Sequence, residues 1–153
     1  MPGYGIVAAD EGGGLLPWAW AEERLRASHE YWVATVGGDG RAHLTPVWGV
    51  WMDRALWFSC SRGSRKARDL GGEPRCTIAT ADPHEPVVLE GRSVPVADPP
   101  TVTSFAEASD LKYGTSYGPA FYLANACFRV EPERVLGLDD ADFTGTPTRW
   151  VFK

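Results

Sequence analysis

The chain has 153 residues and a net charge of −5, and 44% of its residues are hydrophobic, which suits one globular domain with a sizeable core. Such acidity argues against general nucleic-acid binding, and no apolar run approaches the roughly 20 residues that span a bilayer. Cys60, Cys76 and Cys127 lack C-x-x-C spacing, so we expect reduced thiols in a cytoplasmic protein, with neither a disulfide framework nor a zinc site.

The first predicted elements are a glycine-rich arm and a helix. Residues 1–14 are expected to form a flexible arm without the basic and apolar regions of a secretory signal. Residues 15–153 are expected to form a single domain. The run "LPWAWAEERLRASHE" predicts a helix of about three turns, with an apolar stripe that includes Trp18, Ala21 and Leu25.

A meander of three antiparallel strands follows. Residues 31–36, 41–51 and 55–61 are rich in β-branched and aromatic residues, and "GGDGR" supplies a hairpin turn between the first two. Pro46 lies within the second strand and has no backbone N–H to donate, which predicts a bulge or a sheet edge there. Leu56 and Phe58 should point to one face of the third strand, and Trp57 to the other.

The second half of the chain adds strands and short helices. Ser64 predicts the start of a helix over residues 65–70, with Gly71 at its end. Further strands are indicated by "CTIATA", "PVVLEGRSVPV", "ANACFRVEPERVLGL" with a proline-marked turn, and "TRWVFK". The run "PPTVTSFAEASDLKYG" predicts a helix capped near Thr103 or Ser104, followed by a glycine-rich loop in "KYGTSYGPAFY". Together these elements predict an antiparallel β-barrel decorated by a few helices.

Four cations gather where the helix after the third strand begins: Arg62, Arg65, Lys66 and Arg68. Cations are electrostatically misplaced at a helix N-terminus, whereas an anion is favoured there by the dipole and the free backbone N–H groups. The pattern therefore indicates an anion site, and a phosphate fits it best. The alternative is a solvated face on which Arg65 pairs with Asp69. Neither a Walker motif nor a Rossmann fingerprint is present.

The stretch "GDGRAHLTPVWGVWMDRALWFSCSRGSRKARDLGGEPRCTIAT", followed by "VVLEGRSVPV", resembles the pyridoxamine 5′-phosphate oxidase-like split β-barrels, which include flavin enzymes and actinobacterial flavin/deazaflavin oxidoreductases. The resemblance covers about residues 18–97, and "TRWVFK" is also similar. Its motif is F-x-x-x-x-G-S-R-K, followed by a helix and "PR". The resemblance implies an FMN-binding split barrel that forms a homodimer with the cofactor at the interface.

The resemblance also implies site residues. Arg65 and Lys66 would bind the cofactor phosphate, Ser59 and Cys60 would line the phosphate or ribityl chain, and the strand at residues 45–48 would run along the ring system. Arg149 and Trp150 would reach the cofactor from the terminal strand. The candidate cofactor-binding residues are Thr45, Pro46, Val47, Trp48, Ser59, Cys60, Ser64, Arg65, Lys66, Arg149 and Trp150.

The branch of the family decides the expected reaction. Pro86 stands where pyridoxamine phosphate oxidases place a glutamine, and their long C-terminal segment is missing, which argues against vitamin B6 oxidation. The pattern is more similar to the deazaflavin branch, which implies a reductase that uses coenzyme F-420 to transfer a hydride to a small organic substrate. FMN is the alternative cofactor, haem or no cofactor remains open, and a flavin-binding protein without turnover is the alternative function.

Other residues are candidates for donating a proton to the substrate or for binding a metal. The cofactor carries the hydride chemistry, so no catalytic dyad is expected. A proton could come from solvent or from a nearby side chain, and His43, Tyr113 and Tyr117 are the candidates. Asp139, Asp140 and Asp142 lack the glycine and the distal glutamate of a calcium loop, so no metal site is predicted.

Overall fold

The computed structural model describes Gly5 and residues 15–153. The arm predicted at residues 1–14 therefore lies outside the described residues, except for Gly5. The elements in chain order are α1 (Trp18–Ala27), β1 (Glu30–Val36), β2 (Ala42–Met52), β3 (Ala55–Cys60), α2 (Arg65–Gly72), β4 (Arg75–Thr80), β5 (Val87–Val96), α3 (Pro99–Tyr113), α4 (Gly118–Ala124), β6 (Ala126–Gly137), a 3-10 turn (Asp140–Asp142) and β7 (Thr148–Val151). None of the helices in this part of the chain is long and apolar enough to cross a membrane.

The strands form a closed antiparallel barrel. Their order is β3-β2-β1-β4-β5-β6-β7, and β3 pairs also with β6, so six strands close on themselves while β7 lies outside on β6. Closure removes most of the unpaired sheet edges that an open sheet would expose. The predicted fold class, a mainly β barrel with a few helices, is confirmed.

The barrel wall is interrupted along β2, where its two halves have different neighbours. Gly49–Met52 pair with β3, whereas residues 42–48 pair only with β1. Pro46 lies among residues 42–48, the half of β2 that pairs only with β1, and it stands opposite Trp32 in a regular register. The proline thus stands where no neighbouring strand needs its missing N–H. The edge predicted at Pro46 is confirmed.

The core has two parts, one on each side of β3. Leu56 and Phe58 are buried in a cluster to which all six barrel strands, α1 and α2 contribute. Trp57 is buried in a second cluster between the barrel and the α3–α4 pair, where it packs on Phe105 with ring centroids 5.8 Å apart. The predicted alternation of β3 is therefore confirmed, and it is this alternation that seats α3 and α4 on the outside of the barrel.

Several predicted boundaries around α3 and α4 are wrong. Asp98, not Thr103 or Ser104, caps α3, because its side chain accepts a hydrogen bond from the N–H of Thr101. The predicted loop "KYGTSYGPAFY" contains α4, whose first turn holds a proline. Proline is tolerated there because first-turn N–H groups have no partner inside the helix.

Two further corrections concern glycine and proline signals. The helix that begins after Ser64 does not end at Gly71 but continues to Gly72, with Glu73 as its C-cap. Pro132 does not mark a turn, because β6 runs straight through it. Instead the pairing of β5 with β6 shifts between Glu90 and Gly91, and Pro132 lies opposite Gly91. A bulge accommodates the proline without breaking the strand.

Candidate functional site

The start of α2 is built as an anion site would be. Ser64 has extended backbone angles (φ −68°, ψ 154°), and its Oγ accepts a hydrogen bond from the N–H of Ala67 at 3.3 Å, so the predicted cap is confirmed. The same Oγ lies 3.4 Å from Sγ of Cys60, which connects the cap to the end of β3. The N–H groups of Arg65 and Lys66 occupy the first turn and have no acceptor within the helix.

The four cations of this region divide into two pairs. Arg62 donates hydrogen bonds to the carbonyls of Leu123 (2.9 Å) and Ala124 (3.2 Å), and so ties the loop to the end of α4. Arg68 donates to the carbonyl of Gly63 at 2.6 Å. These two side chains stabilise the loop itself. Arg65 and Lys66 stand at the first two helical positions, where a bound anion would meet them.

One turn after Arg65, α2 carries a buried carboxylate, Asp69. Asp69 accepts a hydrogen bond from Oγ1 of Thr35 at 2.8 Å. Its Oδ2 also lies 3.7 Å from Nε of Arg65 and 3.7 Å from Nδ1 of His43. The Arg65–Asp69 pairing considered from the sequence is thus present. At 3.7 Å it is an electrostatic contact rather than a hydrogen bond, which leaves the guanidinium donors for a ligand.

A cavity of about 310 Å³ opens beside the end of β3, and it brings together three of the predicted site residues, Trp48, Ser59 and Cys60. Its remaining wall comes from Ser61 and from side chains of α3, α4 and the segments between α3 and β6. Cys60 borders this cavity and also contacts the cap of α2, so the cavity and the cationic helix start adjoin one another.

The end of α3 fastens Trp48 in place. Tyr113 stacks on the indole of Trp48, with centroids 4.3 Å apart and an angle of 4° between the rings. The Tyr113 hydroxyl accepts a hydrogen bond from the N–H of Gly49 at 2.7 Å and lies 2.7 Å from the carbonyl of His29. Burial raises the pKa of Tyr113 to about 12. The hydroxyl is therefore occupied in holding the backbone of β2.

Lys112 is a residue of this region that sequence reasoning missed. Its ammonium donates hydrogen bonds to the carbonyls of Ser28 (2.7 Å) and Gly49 (2.8 Å) and to the hydroxyl of Tyr31 (2.9 Å). Burial lowers the pKa of Lys112 to about 8. No local signal marks it, because its three partners lie more than 60 residues away along the chain.

The predicted segment at residues 45–48 lies on the half of β2 that pairs only with β1. Val47 points into the barrel core, whereas Pro46 and Trp48 point outward and are exposed. Two polar atoms of this strand, Oγ1 of Thr45 and Nδ1 of His43, are buried without a hydrogen-bond partner among the described residues. A buried polar atom left unpaired costs about 1–3 kcal/mol. Because side chains alternate along a strand, both atoms lie on the same side as Val47, and Nδ1 of His43 faces the Asp69 carboxylate at 3.7 Å. The cofactor contact of Thr45 stays a prediction.

The terminal candidates lie apart from this region. Arg149 is exposed on β7, and Trp150 packs edge-on against Trp18 with centroids 5.6 Å apart. Neither belongs to the lining of the cavity beside Trp48. A contact between these residues and a cofactor would have to be made across a dimer, and it stays a prediction.

The three side chains predicted as candidate proton donors lie in different places. Tyr117 borders the cavity, and its ring stacks on that of Phe121 with centroids 4.7 Å apart. His43 lies instead beside the buried carboxylate of Asp69, and Tyr113 lies behind Trp48. Of these three side chains, the structure places Tyr117 in direct contact with the cavity.

Comparisons with known proteins agree with this architecture. A family model described as pyridoxamine 5′-phosphate oxidase matches residues 19–138, which is more than half of the chain. A conserved hypothetical protein from Mycobacterium tuberculosis has a similar structure, with a TM-score of 0.76 and 21% identity over 92% of this chain and 90% of that one. No curated protein sequence matches the chain significantly.

Two further solved structures carry functional descriptions. One is described as an F-420 reductase, with a TM-score of 0.63 and 22% identity over 74% of this chain and 94% of that one. The other is a FAD-binding protein from Mesorhizobium loti, with a TM-score of 0.64 and 19% identity over 78% and 90% of the two chains. At these identities the likeness shows a shared fold.

Proposed function

The chain belongs to the pyridoxamine 5′-phosphate oxidase family, and we propose that it is an oxidoreductase that uses coenzyme F-420 to transfer a hydride to a small organic substrate. The observation that carries this proposal is the cationic start of α2 directly beside an open aromatic cavity. FMN in the same site is the alternative cofactor. The likeness to an F-420 reductase supports the first cofactor, and the family description supports a flavin.

The phosphate of either cofactor would bind at the start of α2. Arg65 offers a guanidinium fork, Lys66 offers a point charge, and their backbone N–H groups offer two further donors. Asp69 holds Arg65 from below through the 3.7 Å contact of Nε with Oδ2. The ring system would lie along residues 45–48, in the half of β2 that pairs only with β1.

Hydride chemistry would be supplied by the bound flavin or deazaflavin itself. The protein would supply orientation and a cavity with aromatic walls beside the reacting atoms. A proton delivered to a substrate in the cavity would come from Tyr117 or from solvent, because Tyr117 borders the cavity. The open cavity favours an enzyme over a protein that only carries the cofactor, which would gain nothing from space for a second molecule.

We also propose that the protein acts as a homodimer. Trp32, Val36 and Leu44 are large apolar side chains exposed on the outer face of β1 and β2. They continue to Trp48 and to the half of β2 that pairs only with β1. A second copy on this face would cover the apolar surface and bring its own side chains to the cofactor edge, which is how Arg149 and Trp150 would take part.

A cytoplasmic location belongs to the same proposal. All three cysteines are free, and Cys76 and Cys127 are buried. Burial raises the pKa of the Cys76 thiol to about 12, which keeps it protonated and unreactive. Thiols that persist in the reduced form are typical of the cytoplasm.

Titration of the purified protein with F-420 and, separately, with FMN tests the cofactor assignment. We expect F-420 to bind with micromolar or better affinity, and the Arg65→Ala/Lys66→Ala variant to lose at least 100-fold, because both phosphate-binding charges are removed. The matched control is Arg26→Ala/Arg134→Ala, which removes two exposed arginines that pair with Glu22 and Glu90 elsewhere on the surface. The control should bind the cofactor as the unchanged protein does.

Each other outcome has a clear meaning. Tight FMN binding that is lost in the Arg65/Lys66 variant would replace F-420 by FMN in the proposal. Binding of neither cofactor, or equal binding by the Arg65/Lys66 variant, would refute the phosphate site at the start of α2. Loss of affinity in the control would show that net charge, and not the site, controls binding.

A further inference from the structure

The walls of the cavity beside β3 are mainly aromatic. Rings of Trp48, Phe105, Tyr117, Phe121 and Tyr122 line it, and its volume of about 310 Å³ lies at the small end of the range for small-molecule sites. Trp48, Tyr117 and Phe121 are 44%, 52% and 45% exposed. Large rings left half in water around a concave surface are typical of a ligand site.

The rings are arranged as two stacks. Tyr113 backs Trp48 at 4.3 Å, with the two rings nearly parallel at 4°. Tyr117 and Phe121 form the second stack at 4.7 Å, with 23° between their planes. Trp48 of the first stack and both rings of the second border the cavity, and aromatic rings pair favourably with a further ring, offset-stacked or edge-on.

The segment that carries Tyr117 is held rigidly. The carboxylate of Asp110 accepts hydrogen bonds from Oγ1 of Thr115 (2.7 Å), the N–H of Gly118 (2.9 Å) and the N–H of Tyr117 (3.2 Å). The hydrogen bond from Thr115 and, to a smaller extent, those from the N–H groups of Gly118 and Tyr117 lower the pKa of Asp110. The Asp110 carboxyl is therefore ionised at neutral pH. A ring held in advance costs little entropy when a ligand binds.

The polar groups of the cavity are neutral. Among the described residues, its lining contains no Asp, Glu, Lys, Arg or His. Its polar groups belong to serine, tyrosine, cysteine and asparagine side chains, besides the indole N–H of Trp48: Ser59, Ser61, Ser109, Tyr117, Tyr122, Cys60 and Asn125. Asn125 donates from Nδ2 to the carbonyl of Phe121 at 2.9 Å, so its Oδ1 is an acceptor for a ligand donor. A charged group held against this lining would lose hydration without a charged partner, which is costly, whereas an anion at the α2 end of the cavity would be attracted by the adjoining Arg65 and Lys66.

We propose that this cavity binds the organic substrate, and that the substrate is a neutral, planar, largely aromatic molecule with an amide, hydroxyl or carbonyl group. The description as a substrate site rests on the proposed function, whereas the binding itself does not. Specificity would come from Tyr117 and Phe121, which provide the stacking surface, and from a lining that offers no charged side chain as a partner.

Two probes of the same shape and different charge test this inference by calorimetry on the cofactor-free protein. We expect 2-naphthamide to bind. Because Arg65 and Lys66 adjoin the cavity and would attract a carboxylate, the two probes are compared in the Arg65→Ala/Lys66→Ala variant, where 2-naphthoate should bind at least 10-fold more weakly than 2-naphthamide. The Tyr117→Ala/Phe121→Ala variant should lose at least 10-fold in affinity for 2-naphthamide. Its matched control is Phe143→Ala, which removes a ring of similar exposure (43%) outside the cavity and should leave the affinity unchanged.

Three results would overturn the inference: equal binding of the two probes, unchanged affinity in the Tyr117/Phe121 variant, or displacement of 2-naphthamide by F-420 or FMN, which would assign the cavity to the cofactor ring. The Arg65→Ala/Lys66→Ala variant separates this inference from the proposed function. It should lose the cofactor and still bind 2-naphthamide. Failure of both cofactors to bind, with 2-naphthamide still bound, would refute the cofactor assignment and support the cavity.

Discussion

Lys112 shows how one side chain fixes the position of a helix. Its three hydrogen bonds, to Ser28, Tyr31 and Gly49, join the end of α3 to the segment before β1, to β1 and to β2. Since Tyr113 follows directly and stacks on Trp48, the position of Lys112 also determines where the Trp48 ring stands beside the cavity. A long cation is suited to this role because it reaches three acceptors from different elements.

The protonation of Lys112 makes stability depend on pH in a predictable direction. Burial lowers its pKa from 10.5 to about 8, so between these values the unfolded chain holds more protons at this residue than the folded protein does. The free energy of unfolding should therefore rise with pH through this group. Burial raises the pKa of the Cys76 and Cys127 thiols, which opposes this trend as pH approaches 9 in both proteins. In urea unfolding from about pH 7.5 to about pH 9.5, we therefore expect the slope of the free energy of unfolding against pH to be more positive for the unchanged protein than for Lys112→Met.

The measurement ends at about pH 9.5 because two buried tyrosines change the stability above that pH. Burial raises the pKa of Tyr31 and Tyr113, so near pH 10 and above the folded protein holds more protons at the two tyrosines, and stability falls. Equal pH slopes for the two proteins below that range would show that the three hydrogen bonds keep Lys112 charged despite its burial.

Two glycines that look alike in the sequence have opposite roles in their elements. Gly91 lies at the register shift between β5 and β6, where an added Cβ would stand 2.0 Å from the carbonyl oxygen of Glu131. Gly71 lies in α2, where an added Cβ would meet no atom within 4 Å. Spacing and composition do not distinguish these cases, because the crowding at Gly91 comes from a strand about 40 residues away.

Substitution by alanine should separate the two glycines. We expect Gly91→Ala to lower the free energy of unfolding by about 2–4 kcal/mol, because backbone atoms must shift to admit the methyl group. Gly71→Ala should raise it by about 0.5–1 kcal/mol, because alanine restricts the unfolded chain and suits a helix. Denaturant midpoints with a common slope measure both changes. A Gly91→Ala midpoint equal to that of the unchanged protein would contradict the tight bulge.

For the whole molecule, the exposed apolar face of β1 and β2 predicts the oligomeric state. We expect the protein to sediment as a dimer and Leu44→Glu to sediment as a monomer, since Leu44 is 59% exposed at the centre of this face. The matched control is Leu111→Glu on α3, which is also exposed but lies on another element and should leave the dimer intact. A monomeric unchanged protein, or a dimeric Leu44→Glu variant, would refute the interface.

The sequence predicted those parts of the molecule that local patterns control. The strands follow from alternating apolar residues, and Ser64 marks the start of α2 because a cap needs only its own neighbours. The closing pair of the barrel, Leu56 with Val130, joins strands far apart in the chain and has no local signal. The helical end of the cavity was missed for a related reason. The glycines around Tyr117 indicated a loop, whereas the carboxylate of Asp110 on α3 accepts a hydrogen bond from the N–H of Gly118, the first residue of α4.

Arg62 links the two parts of the candidate site, the start of α2 and the cavity, through hydrogen bonds. It belongs to the loop before α2, and its guanidinium holds the carbonyls of Leu123 and Ala124 at the end of α4, the helix that carries Phe121. A molecule that orders the loop by binding at α2 would thereby also order one wall of the cavity. Thermodynamic linkage makes such an effect reciprocal. If binding of one ligand raises the affinity for the other, the second ligand raises the affinity for the first by the same factor. The cofactor and the substrate would then bind cooperatively rather than independently.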